Sequence, residues 1–173
     1  MAAIVTNRAR QLWARGEITW KAATTAYYGI LVYTSNTFDA DVNFVADAGY
    51  TLGEVSGTNY TAGYASAGAP AAAARQRLVL YDATEDDTGD KSVLRANRCT
   101  WTAINVGATA VAKLVVYAHS GTYNAVAVTG DANAPVIAII DMSSPSTIVT
   151  NGGDFTFKFA NDDGTKGDVV QFT

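Results

Sequence analysis

The sequence predicts an all-β protein, an antiparallel β-sandwich or jelly-roll-like domain with one short N-terminal helix. Short runs of apolar and β-branched residues recur roughly every 10–20 residues, with turn-forming residues between them. Several of these runs alternate with a period of two, and only one short segment shows good helical spacing. This pattern favours an antiparallel fold over a parallel α/β sheet.

The alternation is clearest in residues 154–160, where three phenylalanines face one way and Thr156 and Lys158 the other. Residues 98–104 alternate similarly, so we expect Cys99 to be a small buried residue. The NGG turn at 151–153 is predicted to join 146–150 to the phenylalanine strand as a hairpin. Further strands are predicted at 25–34, 75–83, 111–120, 134–142 and 169–173.

Residues 7–15 are predicted to form the helix, with Thr6 or Asn7 as its cap and Gly16 as its stop. Residues 39–48 are a weaker helix candidate. Because the remainder of the chain has strand character and contains no linker, the predicted organisation is an N-terminal arm with its helix, 1–16, followed by one β-sandwich domain, 17–173.

The composition leaves two interpretations of the surface open. Of the 173 residues 49% are hydrophobic and 16% are charged, against a typical charged fraction of about 25%. Either part of the surface is buried against other subunits, or it is neutral and rich in Ser, Thr and Asn. No secretion signal is predicted, and the longest apolar runs are shorter than the roughly 20 residues that span a bilayer. We therefore expect a soluble protein that is made in a cytoplasm.

The charges are distributed unevenly. Residues 1–21 hold four basic residues and one acidic residue, whereas 82–90 hold five acidic residues and no basic one. These regions could pair between neighbouring subunits, or each could be a solvated surface feature. The net charge of −4 argues against direct nucleic-acid binding.

No catalytic set is predicted. His119 is the one histidine, and its neighbour Ser120 would point to the opposite face of a strand. Glycoside hydrolysis needs two carboxylates across a cleft. Glu54 and Asp141 are the acids in apolar settings, and we interpret each as a strand-end residue bonded to backbone amides. We expect no enzyme; a hydrolase dependent on His119 is the weakest reading.

No metal or cofactor is predicted either. The acidic loop 82–90 and the turn 161–168 both lack the spacing of a calcium-binding EF-hand loop. The glycine-rich stretch 53–70 lacks the lysine and following helix of a phosphate site. Its glycines are expected to supply unusual backbone conformations. Its Tyr60 and Tyr64 are expected to be packing or subunit contacts first, with sugar contacts as the alternative.

The segment "GYTLGEVSGTNYTAG" (49–63) resembles part of a diffuse family of tailed-bacteriophage structural proteins. The resemblance lies in the order of several motifs over about residues 17–165: "TAYYGILVYTSNTFDADVNFVAD" precedes that segment, and "NRCTWTAI" and "GGDFTFKFANDDG" follow it. The chain departs from the pattern at Asn59, where the family has glycine, and at Tyr64, where it has the second glycine of a pair.

The resemblance implies a non-enzymatic virion protein, a capsid decoration or cement protein that binds the head shell. Its expected partners are further copies of itself, for example in a trimer, and the major capsid protein. The alternative is a tail- or fibre-associated module that binds a host-surface glycan. The residues predicted to contact other subunits or the capsid are Arg8, Arg10, Trp13, Arg15, Tyr60, Tyr64, Asp86 and Asp87.

Overall fold

The structure is a computed structural model of the 173-residue chain. It describes residues 3–18, 20, 27–33, 40–45, 53–61, 75–87, 90–108, 110–119, 122–123, 126–128, 133–142 and 148–172.

The described residues contain one α-helix and otherwise β-strands, so the all-β prediction is confirmed. The helix is α1 (Asn7–Ala14). The strands are β1 (Ala3–Val5), β2 (Tyr27–Tyr33), β3 (Gln76–Leu78), β4 (Leu80–Asp86), β5 (Lys91–Asn97), β6 (Cys99–Trp101), β7 (Val111–Ala118), β8 (Thr122–Tyr123), β9 (Val126–Ala127), β10 (Val136–Asp141), β11 (Phe155–Phe157) and β12 (Lys166–Phe172).

The largest sheet has the order β1-β10-β7-β2-β3, and all its neighbouring strands are antiparallel. Its three central strands are the near-continuous apolar runs of the sequence, because both of their faces are buried. In β2, Leu31 belongs to one apolar cluster, whereas Ile30 and Val32 belong to a second cluster with Val45 and Ala134.

Three smaller antiparallel sheets complete the described fold: β12-β5-β4, β11-β6 and β8-β9. Leu94 of β5, Trp101 of β6 and Phe157 of β11 lie in the same apolar cluster as Leu31 and Leu114 of the large sheet. One core therefore joins three of the four sheets. The sandwich or jelly-roll arrangement stays a prediction.

Helix α1 follows its sequence prediction. The Thr6 side chain accepts a hydrogen bond from Ala9 N at 3.1 Å, which satisfies one of the free amides of the first turn. Ala9 and Leu12 are buried, and Gly16 has a φ of +68°, a conformation that favours glycine. No helix in the described part of the chain is long and apolar enough to cross a membrane.

The N-terminal segment packs on its own chain. Strand β1 pairs with β10 at the edge of the large sheet, and Thr6 Oγ1 donates a hydrogen bond to Val136 O at 2.6 Å. The predicted arm 1–16 is thus part of the domain over its described residues 3–16. The physical reason is that Val5, Ala9 and Leu12 bury their apolar side chains in the core that residues of the large sheet share.

The second helix candidate is wrong over its described residues 40–45, which form turns and an isolated bridge. Asn43 O accepts a hydrogen bond from Val136 N at 3.0 Å, and Val45 N donates one to Ala134 O at 3.1 Å. The segment buries Val45 against the second face of the large sheet, and this pairing outweighs its weak helical spacing.

Two connections also differ from prediction. The predicted NGG hairpin is wrong, because β11 pairs with β6 and Ile148 instead bridges Val111. The predicted acidic loop 82–90 is mostly strand: β4 runs through Asp86 and pairs with β5 in a hairpin. Cross-strand pairing across this hairpin outweighs the low strand propensity of its acidic residues.

Candidate functional site

Three of the predicted contact residues are arginines of the N-terminal segment: Arg8 and Arg10 lie in α1, on different sides because residues two apart do not share a helix face, and Arg15 caps its C-terminal end. Arg8 is half-buried, with its guanidinium carbon 5.3 Å from the centre of the Phe44 ring and Nη1 donating to Gln11 Oε1 at 3.0 Å. Arg10 and Arg15 are exposed, and Arg15 is ion-paired with Glu17. The predicted contact residue Trp13 is half-buried against the core, so the structure does not bring these four residues together into one surface.

The predicted acidic residues lie on the β4–β5 hairpin, which we call the acidic hairpin (residues 80–97). Its register sets Asp86 opposite Lys91 and Asp82 opposite Arg95. Glu85 and Asp87 are exposed in the described structure. Glu85 and Asp87 therefore leave the tip of the hairpin acidic.

Tyr60 does not present its side chain to another molecule. It is fully buried, and its hydroxyl donates to Glu54 Oε1 at 3.1 Å and accepts from Leu31 N at 3.0 Å. Its expected role as a subunit, capsid or sugar contact is thereby corrected: the hydroxyl satisfies a backbone amide of β2 and a buried carboxylate. Tyr64 lies outside the described residues.

Glu54, Tyr60 and Arg75 form a buried polar cluster that sequence reasoning missed; we call it the Glu54 cluster. Arg75 Nη1 contacts Glu54 Oε1, and Arg75 Nη2 donates to Oε2 at 3.2 Å. The side chains of Arg75 and Glu54 are 1% and 5% exposed. Glu54 therefore bonds a guanidinium, which the sequence prediction did not include. The available signal was a residue of each charge, Glu54 and Arg75, within stretches of small and apolar residues.

The Glu54 cluster ties together distant parts of the chain. Tyr60 and Arg75, on either side of residues 61–74, bond the same carboxylate. Glu54 itself bridges to Val32 next to the end of β2. In the described contacts, the one carboxylate of Glu54 thus holds Tyr60 and Arg75 in place, which is a structural role.

The turn 161–168, with Arg95 and Arg98, forms a second polar cluster that we call the charged turn. Arg98 binds both carboxylate oxygens of Asp162, at 2.8 Å and 2.6 Å. This hydrogen bond is the main cause that lowers the pKa of Asp162 to about 2. The pKa of Asp163 is also lowered, mainly by the amide of Lys166 and by Thr165.

Arginines and backbone amides thus form hydrogen bonds to the carboxylates of the charged turn. Asp168 accepts from Arg95 Nε at 3.1 Å and from Asn161 Nδ2 at 2.5 Å. Asp141, the other acid singled out in the sequence, lies 3.8 Å from Lys113 Nζ. Among the described residues, no three His, Cys, Asp or Glu side chains are grouped so that they could hold a metal.

His119 and Cys99, the side chains that could act as a general base or a nucleophile, lie in aromatic and apolar surroundings. His119 packs edge-on to Tyr28, with ring centres 5.4 Å apart, and to Tyr117. Cys99 is buried as predicted, and burial raises the pKa of its thiol to about 12. A protonated, buried thiol is a packing residue.

Residues 57–60 form a tight turn that contacts the residues following β6. Thr58 pairs with Asn105, and Asn59 Nδ2 donates to Ala103 O at 3.1 Å. A Cβ on Gly57 would collide with the carbonyl oxygen of Asn105. Asn59 has a φ of +58°, the left-handed conformation that asparagine tolerates better than most residues.

The motifs that carry the family resemblance meet at this point. The 57–60 turn contacts the residues after β6, and β6 pairs with β11 so that Phe155 lies opposite Trp101, with ring centres 5.7 Å apart. No protein-family model, curated protein or solved structure matches the chain. Its function is therefore inferred from its own sequence and geometry.

Proposed function

We propose that this chain is a non-enzymatic structural protein of a tailed-bacteriophage virion that decorates or cements the head shell in several copies. The expected partners are further copies of the chain and the major capsid protein. We also propose that the described sheets form a β-sandwich, because residues of the large sheet share one apolar core with residues of two smaller sheets.

The observation that carries the proposal is the meeting of three resembling segments at β6 and the residues that follow it. Segments 57–60, 99–105 and 155–157 are far apart in sequence, yet they are joined by strand pairing and by the Thr58–Asn105 bridge. Chance likeness of short motifs would give no reason for them to form one unit. The positive φ of Asn59 also suits a position at which the family has glycine.

The composition supports an assembling protein in a second way. Only 16% of the residues are charged. A chain poor in charge suits contacts between subunits, since the centres of interfaces are depleted in charge.

Of the two tyrosines that the glycan-binding alternative relies on, Tyr60 is not accessible to a sugar. The Tyr60 hydroxyl is engaged inside the Glu54 cluster, and its ring is fully buried. A sugar stacks on an exposed aromatic face, so Tyr60 does not supply one.

The test is co-sedimentation of the purified chain with expanded head shells of the phage that encodes it. We expect the chain to pellet with the shells at a saturable ratio, and immunogold labelling to mark the heads of intact particles. Unexpanded shells control for non-specific pelleting. A chain that stays in the supernatant with expanded shells, or that labels tails, contradicts the proposal.

A further inference from the structure

A row of side chains crosses three strands of the large sheet at the end where β2 begins. Tyr28 of β2 lies directly opposite Tyr117 of β7 on one side and opposite Arg77 of β3 on the other. Residues directly opposite one another in antiparallel strands project from the same face of the sheet. Tyr117, Tyr28 and Arg77 therefore lie side by side on one face, with Arg77 on the last strand of the described sheet.

Exposure increases along this row from the middle of the sheet to its edge. Tyr117 is buried in the second apolar cluster, Tyr28 is half-buried against that cluster, and Arg77 is exposed. The Tyr28 ring stacks on the Tyr117 ring with ring centres 6.2 Å apart, and His119 packs edge-on to both. Since Tyr117 lies on the β7 side, the other face of the Tyr28 ring is turned towards β3 and Arg77.

The polar groups at the outer end of the row have no partner in the described part of the chain. Neither the Arg77 guanidinium nor the Tyr28 hydroxyl forms a hydrogen bond or ion pair with a described residue. By contrast, Arg75, Arg95 and Arg98 each bind a carboxylate of their own chain. An arginine without a carboxylate beside an aromatic ring offers two contacts, a bidentate one to an anion and stacking on an apolar face.

We propose that Tyr28 and Arg77 form a binding site for a carboxylate-bearing sugar of a polysaccharide. The apolar face of the sugar ring stacks on the Tyr28 ring, and the planar guanidinium of Arg77 donates two hydrogen bonds to the carboxylate. The two contacts together select the ligand class. A neutral sugar leaves Arg77 without a counter-ion, and a bare anion has no apolar face for Tyr28.

Sugar binding at this site goes beyond the proposed role on the head shell and does not depend on it. It also uses different residues from the glycan contact that the sequence suggested, which relied on Tyr60 and Tyr64. The site is made by the pairing of β2 with β3 and β7, so only the register of the sheet brings its residues together.

The test is an NMR titration of the full chain with an oligosaccharide of alternating glucuronic acid and N-acetylglucosamine. An N-acetylglucosamine oligosaccharide of the same length is the neutral control. We expect a dissociation constant of about 1 mM for the acidic probe, because one exposed ion pair and one stacked ring carry the affinity. Amide shifts should centre on β2 and β3, and the neutral probe should bind about tenfold more weakly.

Two variants test the two contacts separately. Arg77→Met removes the cation, so the acidic and neutral probes should then bind equally weakly. Tyr28→Leu keeps an apolar side chain but removes the ring, so neither probe should bind. The control is Lys158→Met, which removes one positive charge at an exposed position after β11 and should leave binding unchanged. Thermal unfolding checks that each variant is folded.

Several outcomes would overturn the inference. These are no amide shifts up to about 10 mM acidic probe, equal binding of both probes by the wild type, or shifts centred away from β2 and β3. Inorganic phosphate that shifts the same amides at the same concentration would also overturn it, because a cation alone would then be sufficient. None of these results bears on binding to head shells, which co-sedimentation tests separately.

Discussion

The Glu54–Arg75 pair and the Arg98–Asp162 pair are the same chemical contact in two different surroundings. The side chains of Glu54 and Arg75 are at most 5% exposed, whereas in the second pair Asp162 is 8% and Arg98 33% exposed, so only the second pair has a guanidinium that water reaches. A buried charge that loses its partner is left without water or a counter-ion, so removing the partner strongly lowers the free energy of unfolding. At the surface, water replaces the partner and the net contribution of a pair is small. Burial, rather than the number of hydrogen bonds, therefore decides how much each pair contributes to stability.

The largest expected effect is the loss of Arg75. Arg75→Met leaves the Glu54 carboxylate buried without its cation and should reduce the free energy of unfolding by about 3–5 kcal/mol. Denaturant unfolding measures the change. The matched control is Arg77→Met, because Arg77 is exposed on β3 only two residues away. Equal losses in the two variants would show that the Glu54 cluster is not a buried charge pair.

An intermediate effect is expected for Tyr60→Phe. The variant keeps the buried ring but removes the acceptor for Leu31 N and a donor to Glu54, which should cost about 1–3 kcal/mol. Tyr33→Phe is the control, since the Tyr33 hydroxyl accepts from Ser56 N at an exposed site and water can replace it. If Tyr33→Phe is as destabilising as Tyr60→Phe, the distinction between the two surroundings is wrong.

The smallest effect at neutral pH, with a distinct pH signature, is expected for Asp162→Asn. The folded state lowers the pKa of Asp162 from 3.8 to about 2, so its contribution to stability is present above pH 3.8 and is lost as pH falls through about 2. Unfolding as a function of pH should show wild type and variant converging across that window. Curves that stay parallel from pH 5 to about pH 2 would contradict the role of the Arg98 contact.

Elements with a local signal were predictable. Helix α1 has its cap, buried face and terminal glycine within ten residues of one another, and the central strands are marked by uninterrupted apolar runs. The alternation in 154–160 likewise predicted the buried face of β11. These signals lie within the segment itself, so they do not depend on what the segment packs against.

Pairings between distant segments were not predictable in the same way. The pairing of β11 with β6 joins residues 56 positions apart, and the bond from Leu31 N to the Tyr60 hydroxyl spans 29. From sequence alone, a strand is expected to pair with its neighbour in the chain, as in the predicted NGG hairpin. Which of the competing pairings forms depends on how well whole faces of the strands fit together.

By itself, the sequence determined the strand character of the chain, the helix α1 and the uneven distribution of its charges, because these depend on residue type and local spacing. Only the tertiary structure decided that Tyr60 is an internal hydrogen-bonding residue, that Glu54 is paired with Arg75, and that the acidic segment is a strand paired with β5. The physical reason is that burial and pairing depend on which surfaces exclude water together, and that is a property of the assembled sheets.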